Sequence, residues 1–260
     1  MLLSIVTPTY NRETYLKKKL KQMRSLRFHF NKFEWILVVE KKDKSTIKFT
    51  KTIKEKFVKV LIGEYGSADK AFTVGVFKAN GKYINFHGDD DFFYMKQSKF
   101  LNKNLFINKY EWLIFKGNYI NDKFLIVRKF MTVIKNFLLN NFGLIDLSII
   151  NFIMTPSVFI RKDVCIKHGC FGKSKKPGSD YILWMKLNKE YKPKIYNQSL
   201  TLSMVTKKTT TGKFNLKKYR LISKKMFENN KHGILGKFLI FNSIIIIIIY
   251  NFVFKKIFIK

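Results

Sequence analysis

The sequence predicts an α/β fold, a mostly parallel sheet flanked by helices, on three observations. Strand-like and helix-like segments alternate through the first hundred residues, the signature of parallel strands joined by right-handed crossovers. The chain has 260 residues, 47% of them hydrophobic and 16% aromatic, enough to bury a substantial core and too apolar for disorder. A run of three carboxylates, Asp89, Asp90 and Asp91, follows the fourth strand-like segment. Ligands bind there in sheets of this kind, beyond the carboxyl ends of the strands.

The elements follow in order. LLSIVTP is a short apolar run stopped by Pro8, as expected of a buried strand. Asn11 is placed to cap a helix in which Leu16, Leu20 and Met23 recur at spacings of four and three. EWILVVE (34–40) and VKVLIG (58–63) read as the second and third strands. Between Ser67 and Asn80, the residues Ala68, Phe72, Gly75, Val76 and Ala79 line one helical face, and Gly81 ends it. KYINFH (82–87) is the fourth strand.

The second half is less regular. YEWLIFKGNYI (110–120) and FLIVRKF (124–130) read as a pair of strands forming a hairpin. TPSVFIRKDVCIKHGCFG (155–172) reads as strand, short helix and glycine-terminated turn. GSDYILWMKLNKE (178–190) is a helix capped by Ser179 or Asp180. The expected organisation is a regular α/β half over residues 1–125, a less regular half over 126–215, and a membrane-associating segment over 216–260.

That last segment stands apart. Residues 238–254 carry no charge, and 17 residues at about 1.5 Å each span roughly 26 Å, the lower limit for crossing a bilayer. From residue 191 onward there are fifteen Lys or Arg and one acid, Glu228. A basic, apolar helical tail of this kind is expected to attach the chain to an anionic membrane surface. The N-terminus lacks a basic region before its apolar run, so no signal peptide is expected there. The expected location is the cytoplasmic face of the cell membrane. Cys165 and Cys170 are too few for a disulfide scaffold and have no zinc spacing.

The chemistry is concentrated in KYINFHGDDDFFYM (82–95). The chain holds 51 Lys and Arg against 17 acids, yet three acids stand side by side with no Lys or Arg between Lys82 and Lys96. Adjacent carboxylates repel one another and call for a counter-charge. Mg²⁺ and Mn²⁺ are commonly held by one or two carboxylates together with phosphate oxygens, so the run suits a divalent cation gripping a diphosphate.

SIVTPTYNR, GKYINFHGDDD and GSDYILW, in this order and spacing, resemble family 2 glycosyltransferases of the GT-A fold, and the likeness runs from about Ser4 to Leu202. The resemblance implies transfer of a sugar, with inversion, from a nucleoside-diphosphate sugar to an acceptor hydroxyl, with 1–125 as the nucleotide-sugar-binding half and 126–215 as the acceptor-binding and catalytic half. A glycan or lipid-linked acceptor is the expected partner. Thr7, Pro8, Tyr10, Asn11 and Arg12 would border the base and ribose, and Glu40 would contact the nucleobase. Asp89 and Asp90 would face the diphosphate, and Asp90 and Asp91 would hold the divalent cation, Mn²⁺ or Mg²⁺. Asp180 would be the catalytic base, and Trp184 would help wall the acceptor site.

The sequence departs from the family pattern at three places. Gly88 stands where an Asp is usual, EKKDKST (40–46) replaces a compact Asp-Gly-Ser turn, and Phe72-Thr73 replaces an Arg-Asn pair. These departures admit a catalytically weak or dead member acting as a membrane scaffold. A nucleic-acid-binding protein would account for the +34 charge, but the bases are spread along the whole chain without a recognition motif, so no specific nucleic-acid partner is expected. A nucleotidyltransferase would want a glycine-rich loop after the first strand, and TPTYNR has no glycine.

Overall fold

The computed structural model describes residues 2–95, 101, 110–120, 153–172 and 178–204. FLIVRKF (124–130) and the whole segment 216–260, with its apolar tail, lie outside them. No helix among the described residues is long and apolar enough to cross a membrane.

One eight-stranded sheet organises the chain. In sequence the elements are β1 (Leu3–Thr9), α1 (Glu13–His29), β2 (Phe33–Glu40), α2 (Lys44–Thr50), β3 (Val58–Gly63), α3 (Ala68–Phe77), β4 (Tyr83–Phe86), β5 (Asp91–Phe93) and β6 (Trp112–Ile120). Then come a 3₁₀ turn (Thr155–Ser157), β7 (Val158–Arg161), α4 (Lys162–Lys167), α5 (Ser179–Glu190) and β8 (Lys194–Met204). The strand order is β3-β2-β1-β4-β7-β6-β8-β5. The first four strands are parallel, with Ile5 opposite Trp35 and Val6 opposite Phe86. β7 is antiparallel to both neighbours, and β8 runs parallel to β6 but antiparallel to β5. Among the described strands β6 lies between β7 and β8, and the expected hairpin partner, residues 124–130, lies outside the described residues.

The central strands read as unbroken apolar runs because both sheet faces are covered. Leu16, Leu20, Met23 and Leu26 of α1 pack with Leu3, Ile5 and Trp35 on one face. α3 covers the other face through Ala71 and Val76, against Val6 and Ile36. Gly75 allows that close approach, since a Cβ there would run into the Val6 side chain.

Two caps differ from expectation. Asn11 does not cap α1; it adopts a left-handed backbone (φ 54°), a conformation Asn tolerates, and Arg12 takes the N-cap position without a side-chain cap bond. In α5, Gly178 (φ 81°) occupies the cap position, so Ser179 and Asp180 fall inside the first turn, where their side chains bond Asp69 and Thr155.

The amino-terminal edge of the sheet is fastened by a buried polar cluster. Ser4 Oγ donates to Glu34 Oε1 (2.6 Å) and accepts the Gly81 N–H (2.8 Å). Glu34 also accepts the Asn80 N–H. A Cβ on Gly81 would lie 2.6 Å from the Leu3 carbonyl carbon and collide with the Ser4 nitrogen, both backbone atoms of a central strand. Gly81→Ala is therefore expected to destabilise the chain by about 3 kcal/mol, the upper range for overpacking. Urea unfolding should show the midpoint fall at unchanged slope.

Candidate active site

The carboxyl edge of the same sheet opens into a cavity of about 860 Å³. Its walls come from the ends of β1 and β2, the amino end of α3, the acidic turn after β4, and the first turn of α5. Eight of the residues expected at the site line it: Pro8, Tyr10, Arg12, Glu40, Asp89, Asp90, Asp91 and Asp180.

Three do not. Thr7 is fully buried beneath the cavity, where its Oγ1 accepts the Trp35 indole N–H (3.0 Å). Asn11 is exposed at the turn, its N–H donating to Asp43 Oδ2 (2.6 Å). Trp184 does not wall the site; it is 0% exposed, among Phe86, Phe171 and Trp112. Its i+4 spacing from Asp180 puts it on the same helical face, but about 6 Å farther along the axis and into the core.

Glu40, at the end of β2, uses Oε2 to accept the N–H groups of Tyr65 (3.1 Å) and Gly66 (2.9 Å). It thereby shapes the loop into α3. On the opposite wall, Asp180 Oδ2 accepts from Thr155 Oγ1 (2.7 Å) and Oδ1 accepts the Tyr181 N–H (2.8 Å). The two walls are tied together by Ser179 Oγ donating to Asp69 Oδ2 (2.5 Å) and Thr73 Oγ1 donating to the Gly172 carbonyl (3.0 Å). Phe72 stacks edge-on against Phe86 and Phe171. The Phe72-Thr73 pair thus serves to join α3 to the 169–172 turn.

The three carboxylates occupy different environments. Asp89 is paired with Arg12 Nε (3.0 Å) and accepts from Thr9 Oγ1 (3.0 Å). Asp90 Oδ2 meets Arg12 Nη2 (3.2 Å). Asp91, in β5, accepts the Gly88 N–H (2.7 Å) and the Ser203 hydroxyl (2.5 Å), and the Met204 N–H donates to the Asp90 carbonyl (2.9 Å). β8 therefore straps the turn from residues more than a hundred positions away. Beneath it lies Lys19, fully buried, whose ammonium donates to the Gly88 carbonyl (3.0 Å), the Asp91 carbonyl and His87 Nδ1. The His87 ring stacks on Phe93 with centroids 4.2 Å apart.

Burial dominates the electrostatics. It lowers Lys19 and, aided by the Lys19 charge, holds His87 well below its usual range and hence neutral. It raises Asp91, with Asp90 adding to the effect. Asp89 is pushed up to about 7 by burial, against the pull of Arg12. An unfolded Asp titrates near ~3.9. The folded chain therefore keeps a proton at Asp89 that the unfolded chain has released. The stabilisation from this group is complete below about pH 4 and is lost as pH rises through about 7. Asp91, the carboxylate placed to hold a cation, is likewise raised, to about 6, and a cation binds its ionised form. Melting curves should accordingly show Mn²⁺ raising stability more at pH 7.5 than at pH 5.

The acidic turn fits a single divalent ion. A Cβ on Gly88 would sit 2.7 Å from Asp90 Oδ1 and 3.0 Å from Asp91 Oδ2, so the two oxygens converge on space left by the missing side chain. Among the described residues no group of three or more His, Cys, Asp or Glu forms a metal cage. Two carboxylates suffice when the rest of the shell comes from phosphate and water.

Solved structures share this architecture. S. aureus TarS 1–349 in complex with UDP-GlcNAc is 16% identical, with a TM-score of 0.63, covering 92% of this chain and 70% of that one. Full TarS is 18% identical with a TM-score of 0.58, and here the match covers 86% of this chain but 39% of that one. The mannosyltransferase PcManGT from Pyrobaculum calidifontis, in complex with GDP-Man and Mn²⁺, is 12% identical with a TM-score of 0.63, covering 93% and 68%. At such identities the likeness shows the fold. No curated protein matches the chain. The profile described as glycosyl transferase family 2 matches residues 4–142, more than half of the chain and all of the strands that carry the acidic turn. The chain therefore belongs to glycosyl transferase family 2 and is a glycosyltransferase.

Proposed function

We propose that the protein transfers a sugar, with inversion, from a nucleoside-diphosphate sugar to the hydroxyl of a lipid-linked or cell-surface glycan. One observation carries this reading: Asp180 and the acidic turn line one cavity, with Asp180 held by Thr155 and by its own helix start. The donor would lie over the ends of β1 and β2, its diphosphate toward Asp90 and Asp91. Asp180 takes the proton from the acceptor hydroxyl while that oxygen attacks the anomeric carbon and the bond to the diphosphate breaks. Arg12 and Lys19 hold the carboxylates in place throughout. A divalent ion held by Asp90 and Asp91 would supply charge neutralisation for the departing diphosphate. UDP-GlcNAc and GDP-Man in the similar structures support a nucleotide-sugar donor, and Mn²⁺ in one of them supports the ion. The basic, apolar segment 216–260 supports attachment to the cytoplasmic face of the membrane.

Thermal stability against a panel of nucleoside diphosphates, with and without Mn²⁺, tests the proposal, because a ligand of the folded state raises its stability by mass action. One nucleotide should stabilise the protein in the presence of Mn²⁺, and Asp91→Ala should abolish the effect. No shift with any nucleotide would overturn the donor assignment.

A further inference from the structure

We infer that the outer face of α1 and α2 is a docking surface for an anionic lipid bilayer, with Phe28 as the side chain that enters it. This surface is built from residues 17–51 and does not depend on the transferase chemistry.

Lys17, Lys21, Arg24 and Phe28 follow one another at spacings of four, three and four, a single stripe along α1. The stripe lies opposite Leu16, Leu20, Met23 and Leu26, which face the core. All four are exposed, and Phe28 is 90% exposed, a large apolar side chain left in water amid cations. Lys18 widens the stripe, and α2 continues it with exposed Lys48 and Lys51. The two helices adjoin, since Lys17 Nζ lies 5.6 Å from the Phe49 ring centroid.

Among the described residues 13–56, the acids neutralise only Lys17 and Arg24 of this surface. Residues 13–56 hold fourteen Lys or Arg and five acids. Glu13 is held by Lys17 and Glu55 by Arg24, Glu34 and Asp43 are buried, and Glu40 binds the Tyr65 and Gly66 N–H groups. A polyanion such as single-stranded nucleic acid would match the charge. A protruding aromatic amid lysines matches the head-group boundary, where cations meet lipid phosphates and an apolar ring leaves water.

The test uses the full chain carrying Phe28→Trp. Trp35, Trp112 and Trp184 are fully buried and give a constant background. Vesicles containing phosphatidylglycerol should shift the new emission to the blue, and brominated acyl chains should quench it; pure phosphatidylcholine vesicles should do neither. Adding Lys18→Glu and Lys21→Glu should weaken this response at least ~25-fold, from roughly fivefold per lysine lost near an anionic surface. Nucleotide-induced stabilisation should be unchanged in all these variants, which separates this surface from the transfer site. No blue shift on phosphatidylglycerol vesicles, even if the chain sediments with them, would overturn the inference and place attachment elsewhere. A shift produced by single-stranded DNA, without bromine quenching on vesicles, would overturn it in favour of a polyanion site.

Discussion

Asp180→Asn is expected to lower turnover by about 10²–10⁴-fold, the usual contribution of a positioned general base, and to leave donor binding intact. The substitution is nearly isosteric. The amide oxygen can still accept from Thr155 or from the Tyr181 N–H, so the first turn of α5 and its tie to the 3₁₀ turn persist. What is lost is a group able to take up a proton. The acidic turn, which takes no part in the Thr155 and Tyr181 hydrogen bonds of Asp180, is untouched. Nucleotide-dependent stabilisation should therefore match the wild type while sugar transfer, followed by release of the nucleoside diphosphate, nearly stops. Turnover within threefold of wild type would remove Asp180 from the mechanism. Thr155→Val should sit between the two, since it loosens the carboxylate without removing it.

The first four strands and their helices were legible because their signals are local. Apolar runs of six to eight residues, separated by a helix whose buried positions recur every three or four, define β1 to β4, α1 and α3 without knowledge of long-range contacts. The acidic turn was legible because it runs against a composition of 51 bases and 17 acids. What failed was the direction of side chains. Thr7 and Trp184 stand at the expected points of the chain but face the core, because position within a motif does not say which side of a strand or which turn of a helix meets the ligand. The strap from β8 was invisible for another reason. Ser203 and Met204 reach the turn only through a sheet order that places β8 beside β5, and no local pattern encodes that neighbour.

Lys19 is the instructive omission. Within LKKKLKQM it reads as one more solvated lysine, yet Leu16, Lys19, Leu20, Met23 and Leu26 share the buried stripe of α1, and that register could have singled it out. A lysine is almost never buried unless it is paired, so its place under the acidic turn assigns it to that turn. Lys19→Met is expected to destabilise the protein by about 3 kcal/mol, the lower range for leaving buried charge without its partner. Met fills similar volume, so packing should contribute little to the loss. The carbonyls of Gly88 and Asp91 lose their shared donor, and the raised carboxyl of Asp91 loses the cation that opposes its burial. Two measurements separate these effects. Urea unfolding near pH 6.5, between the values of about 6 for Asp91 and about 7 for Lys19, should show the loss at its largest, whereas at pH 5, where Asp91 and Asp89 are protonated more of the time, the difference from wild type should shrink. Metal-dependent nucleotide stabilisation should fall even where the variant is folded, because Asp90 Oδ1 and Asp91 Oδ2 converge only while the turn is pinned at both carbonyls. A variant that unfolds earlier but binds nucleotide and Mn²⁺ as the wild type does would make Lys19 a core residue alone, and would leave β8 and Arg12 as the parts that hold the carboxylates in place.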